Sequence, residues 1–284
     1  MKPTWLEPFG LKWDPFAQEV PVEALMVSPA IEHFCRRIER THVHEGGFAL
    51  VAGDPGMGKS VTLRILAERL DQIPEVHVGA LLHPQSNLAD FYRELGDLFD
   101  VPLRPHNRWN GFKALRECWH THMERRLTRP VVLIDEAQQM APVVLSELRL
   151  LSSAQFDSRS LLSVVLAGDG RLIEKLRGAE LLPLDSRIRI RLLLAPASVA
   201  ELANCLRHLM AVAGNTRLMT EEVVEALAEH ALGNLRTLTQ LASELLMAAA
   251  EREVTRIDQK LYLELATSER PATPPSARPR KRRR

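Results

Sequence analysis

Cysteine, net charge and long apolar runs are all scarce in this chain of 284 residues, and each scarcity excludes something. The three cysteines, Cys35, Cys118 and Cys205, lie far apart and form no C-x-x-C pair. That excludes a disulfide framework and a cysteine-held structural zinc, and it suits a reducing cytoplasm. No apolar run approaches the roughly 18–20 residues of a membrane span, so no membrane partner is expected. The opening MKPTWLEPFG lacks the apolar stretch of a secretory signal. The ten histidines show no metal-ligand spacing tied to carboxylates, and no internal repeat is found.

What is present is an ordinary globular composition, 45% hydrophobic and 26% charged. The length allows one α/β domain and a smaller attached one. The net charge of +1 hides an uneven distribution. Arg270–Arg284 carries seven Lys or Arg, four prolines and no acid, which leaves the rest of the chain at about −6. This tail cannot bury enough apolar surface to fold alone. It suits attraction to phosphate backbones, and equally a merely solvated end.

Along the chain, residues 1–47 read as a Pro- and aromatic-rich entry followed by a helix over 28–41, with Ser28 as N-cap and Pro29 in its first turn. Strands are expected at 48–52, 76–82, 131–134, 161–167 and 188–194. Helices are expected at 61–70, 87–99, 112–127 and 143–152, and 101–110 reads as a Pro/Arg-rich loop. Alternating strands and helices imply a parallel sheet covered on both faces. Pro196 marks a boundary, after which only helices follow: 198–213, 220–230, 234–253 and 257–266. The fold class is thus α/β, a parallel-sheet P-loop domain with a smaller all-helical domain behind it. The expected divisions are 1–47, 48–196, 197–267 and a disordered basic tail, 268–284.

Two motifs carry chemistry. Gly53-Asp54-Pro55-Gly56-Met57-Gly58-Lys59-Ser60 fits G-x-x-x-x-G-K-[ST] between a strand and a helix, the context the motif requires. Its glycines let backbone N–H groups turn toward phosphates, and the helix continuing through Val61 adds its positive end. Lys59 can reach the terminal phosphates of ATP, and Ser60 can hold Mg²⁺. The second motif, VVLIDE, is a buried strand with two acids at its C-terminal end, where α/β folds bind ligands. Asp135 is expected in the Mg²⁺ shell, and Glu136 as the base that orients and polarises the attacking water.

With these residues in view, the chain resembles a known group. PFGLKWDPF, GDPGMGKS, VVLIDEAQQM, LSVVLAGDGRL, LDSRIRIRLLL and GNLRTL occur in the order seen in AAA+ ATPases of the ExeA-like (general secretion pathway A) family. That family is close to the transposition ATPases of the TnsC, TniB and IstB kind, and the resemblance spans about residues 8–265. It implies ATP hydrolysis between neighbouring copies in a ring or filament. Asp169 falls at the sensor 1 position, an acid where many relatives carry Gln or Asn. Arg187 matches the arginine finger that enters a neighbour's site, although its alternation with Arg189 and Arg191 is also that of a half-exposed strand. Arg236 matches sensor 2, with a plain surface arginine as the alternative.

Arg104, Arg108, Lys113 and Arg116 surround Trp109, a mix that can grip DNA, unless Trp109 anchors the loop on the core. The resemblance and the basic features together point first to an ATP-dependent regulator that assembles on duplex DNA and assists a transposase. A chain closing in a basic tail rather than a membrane span weighs toward that expectation. The alternatives are an ExeA-like ATPase for secretion or envelope assembly, and a nucleotide-gated scaffold with little hydrolysis.

Overall fold

The computed structural model describes residues 4–103, 107–156 and 158–268. They fall into two compact units. Of these, one unit holds those within 19–198 together with 232–237; the other holds 4–18, 199–231 and 238–268.

The larger unit is built on five parallel strands: β1 (Gly47–Ala52), β2 (Val78–Leu81), β3 (Val131–Ile134), β4 (Ser163–Gly168) and β5 (Ile188–Leu193), in the order β2-β3-β4-β1-β5. Central β1 pairs with β4, Leu50 opposite Leu166, and with β5, Leu50 opposite Arg191. Alternate residues of β1 feed two cores. Phe48, Leu50 and Ala52 pack with Phe91, Leu95 and Trp119 on one face. Ala49 and Val51 pack with Phe34, Ile65 and Leu66 on the other. Both faces are covered, so β1, β3 and β4 read as continuous apolar runs. Edge strand β5 instead alternates buried Ile188, Ile190 and Leu192 with exposed neighbours.

Helix α1 (Pro29–Arg37) precedes β1, and helices α2 (Lys59–Asp71), α3 (Leu88–Leu98), α4 (Arg108–Arg126) and α5 (Pro142–Ser152) connect the strands. Their starts are fixed by side chains. Ser28 Oγ accepts from Ile31 N at 3.3 Å, and Asn87 Oδ1 from Ala89 N at 2.9 Å. Helix α4 begins four residues before the expected position because Asn107 caps it, its Oδ1 accepting from Asn110 N at 3.0 Å. Four short elements were not read from the sequence: the antiparallel pair Ser153–Ala154 with Arg159–Ser160, helix α6 (Gly170–Arg177) and the single turn α7 (Leu182–Asp185).

The smaller unit consists of α8 (Val199–Ala213), α9 (Glu221–His230), most of α10 (Leu235–Glu251) and α11 (Gln259–Ser268). A single parallel bridge, Met219 with Ile257, ties the turn before α9 to the one before α11. The N-terminal aromatic segment belongs here. Lys12 N donates to Ala213 O at 2.8 Å and Asn215 Nδ2 to Phe9 O at 2.8 Å, with Leu6, Phe9 and Leu11 buried. The sequence set 1–47 apart as one segment; in the structure that segment is divided after Gln18 between the two units.

The fold is an α/β parallel-sheet domain followed along the chain by a mainly helical region, as the sequence implied. Strands β1, β3 and β4 lie side by side in the order β3-β4-β1, so the residues that follow them meet at one edge of the sheet.

Candidate active site

The loop after β1 runs over Gly53–Gly58 and passes directly into α2. Gly56 and Gly58 have φ of +84° and +94°, in the left-handed region where an L side chain is strained. Lys59, the first residue of α2, is buried, and its Nζ donates to Gly53 O at 2.9 Å and Asp54 O at 3.2 Å. The ammonium is thus held over the loop by neutral carbonyls, which anionic oxygens outcompete. Met57 N faces Asp54 O at 3.3 Å, and Val61 is partly buried against the core behind α2.

Ser60 Oγ donates to Asp135 Oδ2 at 2.5 Å, across 75 residues of sequence. The hydroxyl and carboxylate expected to share Mg²⁺ are therefore in contact. Asp135 Oδ1 also accepts from Glu136 N at 2.8 Å. Glu136 has φ +51° and ψ +34°, unusual for a residue with a side chain, and such strain concentrates at functional sites. Its Oε2 accepts from Gln138 Nε2 at 2.5 Å and faces Gln139 Nε2 at 3.4 Å.

Among the described residues no group of three or more His, Cys, Asp or Glu gathers as a metal site. Mg²⁺ keeps several waters and takes one or two protein oxygens besides those of a phosphate. The paired Ser60–Asp135 oxygens, the left-handed glycines and the buried ammonium fit Mg²⁺–ATP.

The remaining expected residues divide. Asp169 follows β4 as sensor 1 requires, but its carboxylate is engaged elsewhere. It caps α6, accepting from Arg171 N at 2.9 Å, and pairs with the Arg171 guanidinium at 2.6 Å. The bond to Arg171 holds the Asp169 carboxyl below its ordinary range, against the opposing effect of burial. The Asp169 carboxylate is thus engaged by its own helix in this structure. Arg187 stands just before β5, and its Nη1 donates to Pro183 O at 3.0 Å.

Arg236 lies in the first turn of α10, and its backbone N–H points to Gly56 O at 3.4 Å. This brings the start of α10 to the phosphate loop, through a residue the sequence reading passed over. Asn234 Nδ2 donates to Pro55 O at 3.0 Å, while its Oδ1 accepts from Arg236 N at 3.0 Å and Thr237 N at 3.1 Å. A Cβ at Gly56 would sit 2.2 Å from Asn234 Oδ1, so this glycine, at a position the motif leaves open, makes room for the cap. The Asn in Gly-Asn-Leu-Arg was a legible N-cap signal.

The basic residues around Trp109 are in part bonded within the fold. Arg108 binds Glu147, its Nε donating to Oε1 at 3.0 Å, and Glu147 is buried with the Tyr92 hydroxyl also bonded to it. Arg116 Nη1 donates to the carbonyls of Leu150, at 3.2 Å, Leu151, at 3.0 Å, and Ser153, closing the end of α5. Lys113 pairs with Glu117 at 3.7 Å on the helix surface. Trp109 is 76% exposed and stacks on Phe112, so it does not anchor the loop in the core. Arg104 and the basic tail lie outside the described residues.

Strand order, phosphate loop and paired acids define a P-loop ATPase. Residues 41–176 match the family model for an AAA domain, so the chain carries an AAA ATPase domain, which supports ATP hydrolysis. It is similar to general secretion pathway protein A of Aeromonas hydrophila, 31% identical over 249 residues that make up 86% of this chain and 44% of that protein. The chain thus spans less than half the length of that relative. Among solved structures it is similar to the Aeropyrum pernix ORC2 protein in ADPNP and ADP complexes, at 16% identity and TM-score 0.71, covering 90% of this chain and 71% of that one. The Aeropyrum pernix ORC1 protein in complex with DNA is another, at 17% identity and TM-score 0.65, covering 90% and 69%. At such identities the likeness is one of fold. No helix among the described residues is long and apolar enough to cross a membrane.

Proposed function

We propose that the chain binds Mg²⁺–ATP on residues 53–61, hydrolyses it at a site completed by a second copy of itself, and uses the cycle in secretion or envelope assembly. The Ser60–Asp135 contact carries the chemical half of this reading, because it joins the two motifs at one point. Similarity to a secretion-pathway protein across 86% of the chain supports the cellular half.

Bound Mg²⁺ supplies positive charge to the terminal phosphates. Ser60 and Asp135 would hold the ion's shell. Lys59 exchanges the Gly53 and Asp54 carbonyls for phosphate oxygens, and its compact ammonium is the main charge the loop offers. Glu136 orients the attacking water and takes its proton. Arg187 from the neighbouring copy neutralises charge developing on the γ-phosphate, which requires self-association into a ring or filament. Arg236 approaches the nucleotide from the start of α10.

Transposase assistance on duplex DNA is not the reading advanced, since two arginines of its basic cluster are bonded within the fold. Mixing Arg187→Ala with Glu136→Gln tests the shared site, because a mixed interface has one intact acid and one intact arginine. Partial recovery of ATP turnover is expected; mixtures that stay inactive at every ratio would overturn the two-copy site. Salt-sensitive, ATP-dependent binding to a labelled duplex in the same preparation would return the transposition reading to first place.

A further inference from the structure

One buried amide reaches Glu136 from outside the recognised motif positions. Gln138 is 6% exposed, and its side chain spans two strands' ends. Its Nε2 donates to Glu136 Oε2 at 2.5 Å, while its Oε1 faces Asp169 N, after β4, at 3.4 Å. A buried amide is costly unless both ends are bonded, so this geometry is strongly selected within the fold.

Two further residues hold Gln138 where it is. Lys175 Nζ, from α6, donates to Gln138 O at 2.5 Å and to Met140 O at 2.7 Å, clamping the turn that follows Glu136. Gly168, the last residue of β4, leaves the space the amide fills: a Cβ there would lie 2.7 Å from Gln138 Oε1. Gln139 adds a weaker donor to the same carboxylate oxygen and is itself held by Gln85 Nε2 at 2.6 Å. Both donors fall on Oε2, leaving Oε1 as the oxygen available to a water.

We infer that Gln138 is a positioning residue for Glu136. Its amide fixes the rotation of the carboxylate, and the polar link between β4 and the acid runs through this amide rather than through the carboxylate of Asp169. The inference rests on Glu136 acting as the base in the reading above.

The experiment compares Gln138→Ala, Gln138→Glu and Glu136→Gln, singly and combined, in ATP binding and single-turnover hydrolysis by the full chain. Gln138→Glu keeps length and shape while removing the donor, so it serves even if the alanine variant folds poorly. Both Gln138 variants are expected to bind ATP within about twofold of wild type and to lose about ten- to a hundredfold in rate, the usual effect of removing an outer-shell partner. In the Glu136→Gln background the Gln138→Glu change is expected to cost nothing more, because no carboxylate remains to be oriented. Wild-type rates in both Gln138 variants, beside an inactive Glu136→Gln, would overturn this inference alone. So would a rate loss that recurs in full in the Glu136→Gln background. Full turnover by Glu136→Gln would remove the base assignment itself, and this inference with it.

Discussion

The nucleotide site and the arginine-bearing helix α4 both place cations beside acids or carbonyls, yet they commit them differently. In the site, Lys59 rests on loop carbonyls and Ser60 on Asp135, contacts that a phosphate and a cation can take over without unfolding anything. On α4, Arg108 satisfies a buried carboxylate, and Arg116 closes the last carbonyls of α5. Those contacts are part of the packing, and breaking them leaves a buried group without a partner. Charge density therefore says little about ligands; what distinguishes a site is that its partners can be exchanged.

The largest effect expected tests the exchangeable side. Lys59→Ala should abolish tight ATP binding, because the Lys59 ammonium is seated directly on the carbonyls of the phosphate loop. Titration with ATP checks this, and unchanged affinity would remove the phosphate-loop assignment. The structural side should respond oppositely. Arg108→Ala is expected to leave nucleotide affinity intact and to cost about 2 kcal/mol of stability, discounted from the 3–5 of a fully buried pair because Arg108 is itself half-exposed. Urea unfolding measures it. A fully stable Arg108→Ala protein that bound a labelled duplex less well would put the cluster back among ligand sites.

Gly56→Ala tests a contact between these extremes. A Cβ would meet Asn234 Oδ1 at 2.2 Å and strain a φ of +84°. Weaker ATP binding by about tenfold is expected, or roughly 1.4 kcal/mol, since both the loop and the cap of α10 must shift. Pairing it with Asn234→Ala should recover part of the loss if the clash is the cause.

Much of this fold was legible because its signals are local and periodic. Apolar runs marked β1, β3 and β4, the fixed glycines and Lys59 marked the loop, and Ser28 and Asn87 marked helix starts. What escaped was set by tertiary neighbours. Gln138 reads as a polar residue in a turn, and only the approach of β4 through Gly168 makes it a bridge. Asp169 sits where a sensor is expected, and the basic residue two positions on, Arg171, takes its carboxylate. The bonds of Arg108 to Glu147 and of Arg116 to the end of α5 were not legible because those partners lie some 30–40 residues away in sequence.

The smallest expected effect compares the two acid–arginine pairs directly. Glu147 keeps only the Tyr92 hydroxyl when Arg108 is removed. That hydroxyl is itself pushed above its ordinary range, first by burial and then by its bond to Glu147. Asp169, by contrast, retains the backbone N–H of residue 171 when the Arg171 side chain is removed, since the cap of α6 survives the substitution. Arg171→Ala should therefore lower the thermal midpoint less than Arg108→Ala does. The sign of its pH dependence follows from the carboxyl. Asp169 is held below the usual carboxylate range, first by Arg171, so the pair stabilises the fold above that range and the stability is lost as pH falls through the lowered pKa. Without the guanidinium the acid-side loss should begin from a lower plateau and be shallower. Thermal melts of both variants between about pH 3 and 7 measure this. A midpoint drop in Arg171→Ala as large as in Arg108→Ala would show that Asp169 depends on its arginine, and that the pair at the site is as fixed as the pair on α4.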